Sequence, residues 1–283
     1  GTNTAALAFG GGVPPYAQTE LWNGTNWTEV ADLNIGRRGL AGDGISTAAL
    51  GFGGSSPNPT IGITGATETW NGSSWAETGD LNQGVRSLGG AGNTTASLAF
   101  GGRLPSYVAS TEEFNTGVVG GAWSTGGSLN TAKEESAGAG TKTSALSFGG
   151  NPPRLALTEQ YNGTSWTEVN DLNTARSLLA GAGASNTAAL AFGGNTPSTT
   201  VDTELWNGTN WTEVNNLPVA KERLAGCGTS TAALSFGGES APGRSAKTEK
   251  WNGTNWTEVN DLNTARDFLA GAGTNTAALA FGG

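Results

Sequence analysis

Short apolar runs alternate with stretches rich in Asn, Gly and Thr along the chain, and the alternation returns as a unit. Phe-Gly-Gly recurs with its Phe at 9, 52, 100, 148, 192, 236 and 281, in steps of 43, 48, 48, 44, 44 and 45 residues. Between these copies stands an aromatic pair, six times over: Trp22/Trp27, Trp70/Trp75, Phe114/Trp123, Tyr161/Trp166, Trp206/Trp211 and Trp251/Trp256. A fixed period of about 20 to 50 residues signals a repeat architecture. Six repeats fill the 283 residues and leave no room for a second domain.

Inside a repeat the apolar positions have a period of two, which is the period of a strand. The run TAALAFGG puts Leu190 and Phe192 on one face and Ala189 and Ala191 on the other. A bulky face and a small face suit sheets stacked large against small. Four short strands are expected per repeat: a small-residue segment such as residues 179–183 (LAGAG), then TAALAFGG, TELWN and NWTEV. Asn-Gly joins the third to the fourth at 23–24, 71–72, 162–163, 207–208 and 252–253. It is a hairpin signal because both residues accept positive φ, and the Thr-Asn that follows allows a longer loop. No segment reads as a long helix.

A four-stranded antiparallel unit of about 45 residues, repeated, is the arithmetic of a β-propeller. First strands would converge on a central channel, where Gly and Ala let backbones crowd; outer strands diverge and need Trp to fill the wedge between blades. The expected fold class is all-β: a six-bladed β-propeller of four-stranded antiparallel blades, its ring closed by the chain ends. Residues 1–283 would form one domain of six repeats plus one surplus second strand.

The surplus comes from the ends. Residues 1–11 and 273–283 are the same string, GTNTAALAFGG, giving seven second strands against six of each other kind. A closing blade would take its first strand from the C-terminal side and its third and fourth from residues 19–30. Either copy could supply its second strand, and the other would fray or pair on an edge. The chain opens at Gly1 with no basic-then-apolar leader and reads as a fragment, a processed chain or a trimmed one.

The Gly-Gly closing the second strand, the aromatic of the third, the Trp of the fourth and a basic residue before the next first strand resemble the kelch repeat. In one repeat these are Gly193, Gly194, Trp206, Trp211 and Arg223; in another they are Gly149, Gly150, Tyr161, Trp166 and Arg176. The resemblance spans the chain. The third repeat departs from it, with Phe114 for Trp, a long loop at 115–122 and Lys133 in the place of the Arg. Residues 171–176 and 261–266 both read DLNTAR, and such near-identity resembles the amplified kelch-like arrays of phage and bacterial surface proteins. One propeller scaffold hosts unrelated activities, so the resemblance speaks for fold more than for function.

Composition narrows the chemistry. With no histidine, Ser-His-Asp and Cys-His machines cannot be assembled, and the copper oxidation found on some kelch-like folds loses its ligands. The single Cys227 can form neither an internal disulfide nor a thiolate cage. A formal charge of −9 with 14 basic residues offers no cationic stripe for nucleic acid or anionic lipid. No apolar run reaches the roughly 18 residues of a membrane span. No catalytic residue, metal site or cofactor is expected.

Repeated polar residues read as scaffold. Glu recurs in the third strand at 20, 68, 112, 159, 204 and 249 and in the fourth at 29, 77, 168, 213 and 258. Paired acids suit glycoside hydrolysis, but catalysis needs one asymmetric constellation; this set decorates outer strands or pairs with Arg37, Arg86, Arg176, Arg223 and Arg266. The Asp-Leu-Asn corners at 32, 80, 171 and 261 lack the dense acid pattern of a calcium loop and read as turns capped by Asp on its own backbone. Eight of nine Asn-X-Ser/Thr sequons fall in the third-to-fourth hairpin, where turn chemistry already demands Asn and Thr.

The repeats differ most between Phe-Gly-Gly and Thr-Glu, at residues 12–18, 55–66, 103–110, 151–157, 195–202 and 239–247. These segments run from 7 to 12 residues and each contains Pro. Up-down alternation places them on one face beside the fourth-to-first corners, a platform for recognition. Tyr16, Arg103, Tyr107, Arg154 and Arg244 are the candidate contacts, since Tyr and Arg supply many interface hot spots. The expected function is a noncatalytic binding or structural module, extracellular or virion-associated, in a phage tail fibre or bacterial surface protein. Its partner would be a surface glycan or protein. The alternatives are a lectin with a sugar pocket between each pair of blades, where Trp, Glu and Arg meet, and a carboxylate glycoside hydrolase.

Overall fold

The computed structural model describes residues 6–10, 17–22, 26–117, 120–274 and 277–281, and every regular element among them is a strand. Five four-stranded antiparallel sheets follow one another: Ala41–Ile45 to Trp75–Glu77, Gly89–Asn93 to Ala122–Thr125, Ala137–Thr141 to Trp166–Val169, Ala180–Ser185 to Trp211–Glu213, and Ala225–Thr229 to Trp256–Val259. Each is a blade, and consecutive blades set their first strands side by side about an axis. The protein is a β-propeller with five blades, not the six expected from the repeat count.

The sixth repeat does not assemble into a four-stranded sheet. Ala6–Phe9 pairs with Thr19–Trp22, which pairs with Trp27–Val30, in a three-stranded sheet; Ala270–Thr274 pairs with Ala277–Phe281 in a separate hairpin. The reason is the duplicated string. Each copy of the second strand takes the partner nearest in sequence, so no ladder joins the two ends among the described residues. Ala270–Thr274 lies between the first strands of the fifth and first blades, and Ala277–Phe281 lies along Ala6–Phe9.

Stacking follows the large-against-small pattern. Phe9 occupies the space beside Gly51, where an added Cβ would meet its ring at 2.5 Å. The second strand of each of the five blades is buried on both faces, as with Ala49, Leu50 and Phe52 in the first. The inner strands do crowd: a Cβ on Gly138 would stand 2.5 Å from the Gly90 carbonyl oxygen of the preceding blade. Further out, the Phe of one blade packs on the outer Trp of the next. Ring centroids are 4.9 Å apart for Phe52 and Trp123, 5.0 Å for Phe100 and Trp166, and 4.9 Å for Phe192 and Trp256. The same indoles donate to a threonine hydroxyl of the preceding blade, Trp123 Nε1 to Thr67 Oγ1 at 3.1 Å and Trp166 Nε1 to Thr111 Oγ1 at 3.0 Å. A large aromatic is thus buried with its polar atom satisfied, which keeps its full apolar gain.

The Asn-Gly hairpins at 71–72, 162–163, 207–208 and 252–253 are four-residue loops. Trp70 faces Trp75 across the ladder, and between them Asn71 Oδ1 accepts from the backbone N–H of Ser73 and Ser74, both at 2.9 Å. The Asn side chain makes the turn, and positive φ falls on Gly72 alone of the pair.

Candidate functional site

The recurrent third-strand Glu sits at the join between a blade and the corner that enters it. Glu68 accepts from Asn34 N at 2.7 Å and Asn34 Nδ2 at 2.8 Å, and its other oxygen faces Arg37 Nη2 at 2.8 Å with both side chains fully buried. Glu204 repeats this with Asn173 and with Arg176 at 3.0 Å. Glu159 pairs with Lys133 at 3.6 Å, Glu249 with Lys221, and Glu20 with Arg266 at 2.5 Å. Burial lowers the pKa of each of these five cations, and the facing carboxylate opposes it. These are struts between units. The expected pairing with Arg holds for Arg37, Arg176 and Arg266 but not for Arg86 or Arg223. The cation stands four residues after the corner Leu, a place held by Val85 in the second blade's corner and by Lys221 in the fifth's. Lys133 does the work of the Arg it replaces. The corner Asp caps a strand, not its own turn: Asp80 Oδ1 accepts from Thr67 N at 3.0 Å and Asp171 Oδ1 from Thr158 N at 3.1 Å.

The second-to-third loops and the corners share one face. Backbone bridges tie them pairwise: Arg38 to Ser55, Arg86 to Arg103, Glu134 to Asn151, Ser177 to Asn195 and Glu222 to Glu239. At the centre of this face the corners form a collar of Gly39, Ser87, Glu135, Leu178, Arg223 and Phe268, all at φ between 53° and 59°. Each backbone N–H in turn donates to the carbonyl before it: Ser87 to Gly39 at 2.7 Å, Glu135 to Ser87 at 3.0 Å, Leu178 to Glu135 at 3.1 Å, Arg223 to Leu178 at 2.9 Å and Phe268 to Arg223 at 3.0 Å. Five of the six residues hold a left-handed backbone with a side chain attached, a strained state that Gly39 avoids. The collar walls an axial cavity of about 110 Å³. Inside it, the Arg223 guanidinium lies 4.9 Å from the Phe268 ring centroid. Burial, and then neighbouring Glu134, push the Glu135 carboxyl up, against the pull of Arg223.

The expected contacts fall around this collar. Arg103 pairs with Glu134 at 3.2 Å and lies 5.2 Å from the Tyr107 ring centroid. Arg154 donates through Nε to Asn195 Oδ1 at 2.6 Å, and Arg244 Nε pairs with Asp267 at 2.9 Å. Arg103 and Tyr107 meet; Arg154 and Arg244 stand in other sectors. Tyr16 lies outside the described residues. The sequence reading missed the collar, whose only signal is a single corner position filled by six chemically unrelated residues.

Deeper on the axis, the first strands line a channel of about 240 Å³. Asp43 stands there in the register that Ala91, Ala139, Ala182 and Cys227 hold in the other blades. Its carboxyl accepts from the Ser97 hydroxyl, and Ser97 in turn replaces the Ala found at 49, 145, 189 and 233. Burial pushes the Asp43 carboxyl up to about 7, with the Ser97 hydrogen bond opposing. No group of three or more Cys, Asp or Glu among the described residues is placed to hold a metal ion. The chain matches no protein-family model and no curated protein.

Proposed function

We propose that the chain is a noncatalytic recognition module of the kelch type, binding a surface glycan or protein through the face that carries the loops and the collar. One observation carries this reading. Of nine arginines, Arg37, Arg176 and Arg266 are spent in buried struts, and the other six, Arg38, Arg86, Arg103, Arg154, Arg223 and Arg244, all belong to the loops and corners of this face. Arginine is the charged residue most favoured at recognition surfaces, and here it is held on a stiff ring. The near-identity of the repeats supports a place in a phage fibre or bacterial surface protein.

The reading with one sugar pocket between each pair of blades needs Trp, Glu and the cation to be reachable. They are packed shut: Glu68, Glu159, Glu204 and Glu249 are at most 1% exposed and Trp75, Trp166 and Trp211 at most 6%. The same burial argues against the third-strand Glu residues, Glu159 and Glu204 among them, as the acids of a hydrolase. The test is a glycan-array and bacterial-surface binding screen, repeated on a variant whose loops at 55–66, 103–110, 151–157, 195–202 and 239–247 are replaced by Gly and Ser. Binding by the native chain that disappears in the variant, with the strand circular dichroism retained, is expected. Binding that survives loop replacement would place recognition elsewhere.

A further inference from the structure

A second cavity opens off the axis on the same face, between the loops of the third and fourth blades, with a volume of about 280 Å³. It shares Glu135, Leu178 and Arg223 with the axial cavity, so the two adjoin. Its outer wall is Asn151 and Arg154 from one loop and Asn195 from the next. Their hydrogen bonds run in one direction. Arg154 Nε donates to Asn195 Oδ1 at 2.6 Å, Asn195 Nδ2 donates to the Glu222 carboxylate, and Glu222 faces Arg223 at 3.4 Å. This relay fixes the Asn195 amide and joins two loops before any ligand arrives, which lowers the cost of binding.

Unspent polar capacity remains at the rim. Among the described residues, Arg154 forms no hydrogen bond through its terminal amino groups and the Asn151 side-chain amide forms none. Donors and acceptors therefore line one small cavity together, which is what vicinal hydroxyls require because each both donates and accepts. Charge balances, with Glu135 and Glu222 against Arg154 and Arg223. A neutral ligand is favoured over an anion. Leu178 and Pro153 supply an apolar shelf, and the volume lies near the lower bound for small-molecule sites, enough for one ring rather than an extended peptide. At the place of Asn195 the third blade's loop holds Asn151, which lines the same cavity, and the first, second and fifth hold Ser55, Arg103 and Glu239, so two adjacent Asn occur in this sector alone among these five loops.

We propose that this cavity binds one neutral pyranose unit of a surface glycan, an inference that rests on the recognition role above and names its ligand class. The probes are the methyl glycosides of glucose, galactose, mannose and N-acetylglucosamine, followed by saturation-transfer NMR and calorimetry on the full chain. At least one should saturate a single site per chain, with little dependence on salt. Arg154→Ala and Asn151→Ala should each weaken it roughly tenfold or more, while Lys142→Ala, on the opposite face, should not. Saturation by none of the four, a stoichiometry near six, affinity that collapses with added salt, or unchanged affinity in both variants would overturn the proposal. Loop-dependent surface binding that survives Arg154→Ala and Asn151→Ala would leave the recognition role standing and remove this site; a native chain that neither saturates with a glycoside nor shows loop-dependent surface binding would remove the two together.

Discussion

Glu112 and Glu204 occupy the same place in the second and fourth blades and differ in what faces them. Glu204 meets Arg176 at 3.0 Å in a dry site, whereas the equivalent cation position before Glu112 is Val85. Glu112 is held by Asn82 N at 2.8 Å, Asn82 Nδ2 at 2.6 Å and Gln83 N at 3.2 Å. Glu204→Gln strands a buried guanidinium and should cost about 3–5 kcal/mol, while Glu112→Gln strands nothing charged and should cost about 1 kcal/mol. Urea midpoints of the two variants should separate accordingly; equal losses would mean that the Asn bonds carry the strut. Asp43 is the opposite case, a buried carboxylate with a hydroxyl and no cation. Its folded pKa of about 7 stands above the ordinary 3.8, so the native chain binds the proton more tightly than the unfolded one. Stability from this group is full below the lower value, falls as pH rises between the two, and is lost above the upper, by up to roughly 4 kcal/mol. Asp43→Asn should erase that slope, so the variant gains on the native chain from acid to pH 8. A constant difference across pH would show that Asp43 ionises without penalty.

At the scale of elements, the collar turns six corners inward at the same left-handed backbone angle. Ser87 holds φ of 55° with a side chain that gains little from its place, and Gly39 holds 59° without one. Ser87→Gly should therefore stabilise by about 1 kcal/mol and Gly39→Ala should cost a similar amount, its new Cβ standing 3.3 Å from Ser87 N. Thermal unfolding of the two variants reads the difference, and a loss in both would mean that the serine side chain is needed. Nothing in six unlike letters announces this ring, because what unites them is a backbone angle and not a side-chain property. The strands were legible for the opposite reason: Leu50 and Phe52 against Ala49 and Gly51 is a pattern that only stacked sheets use on both sides. The struts were half legible. Reading basic residues by type picked out Arg86 and Arg223; counting four residues from the corner Leu finds Val85 and Lys221 at those places instead.

For the whole molecule, counting strands exposed the conflict at the ends but not its outcome, since two identical strings give no reason to prefer one. Local pairing decided it: each copy joined its own neighbour, and five blades were left complete. The remaining sector is then joined across the chain ends by side chains. Arg266 Nη2 reaches Glu20 at 2.5 Å, and Asn263 Nδ2 donates to Glu20 at 2.7 Å and to the Trp27 carbonyl at 2.8 Å, across 243 and 236 residues of sequence. The equivalent strut at Glu159 spans 29 residues to Asn130. Loop-closure entropy grows with the logarithm of that span, which makes the terminal latch harder to re-form by roughly 2 kcal/mol. The two struts should therefore fail differently. Glu159→Gln should lower global stability with all blades still exchanging together. Glu20→Gln should open the ends first, so that amides of Thr19–Trp22, Trp27–Val30 and Ala270–Thr274 lose protection while those of the five blades keep it. Hydrogen exchange followed by mass spectrometry reads this directly, and uniform loss of protection in Glu20→Gln would mean that backbone packing at the axis, and not the latch, holds the ring shut.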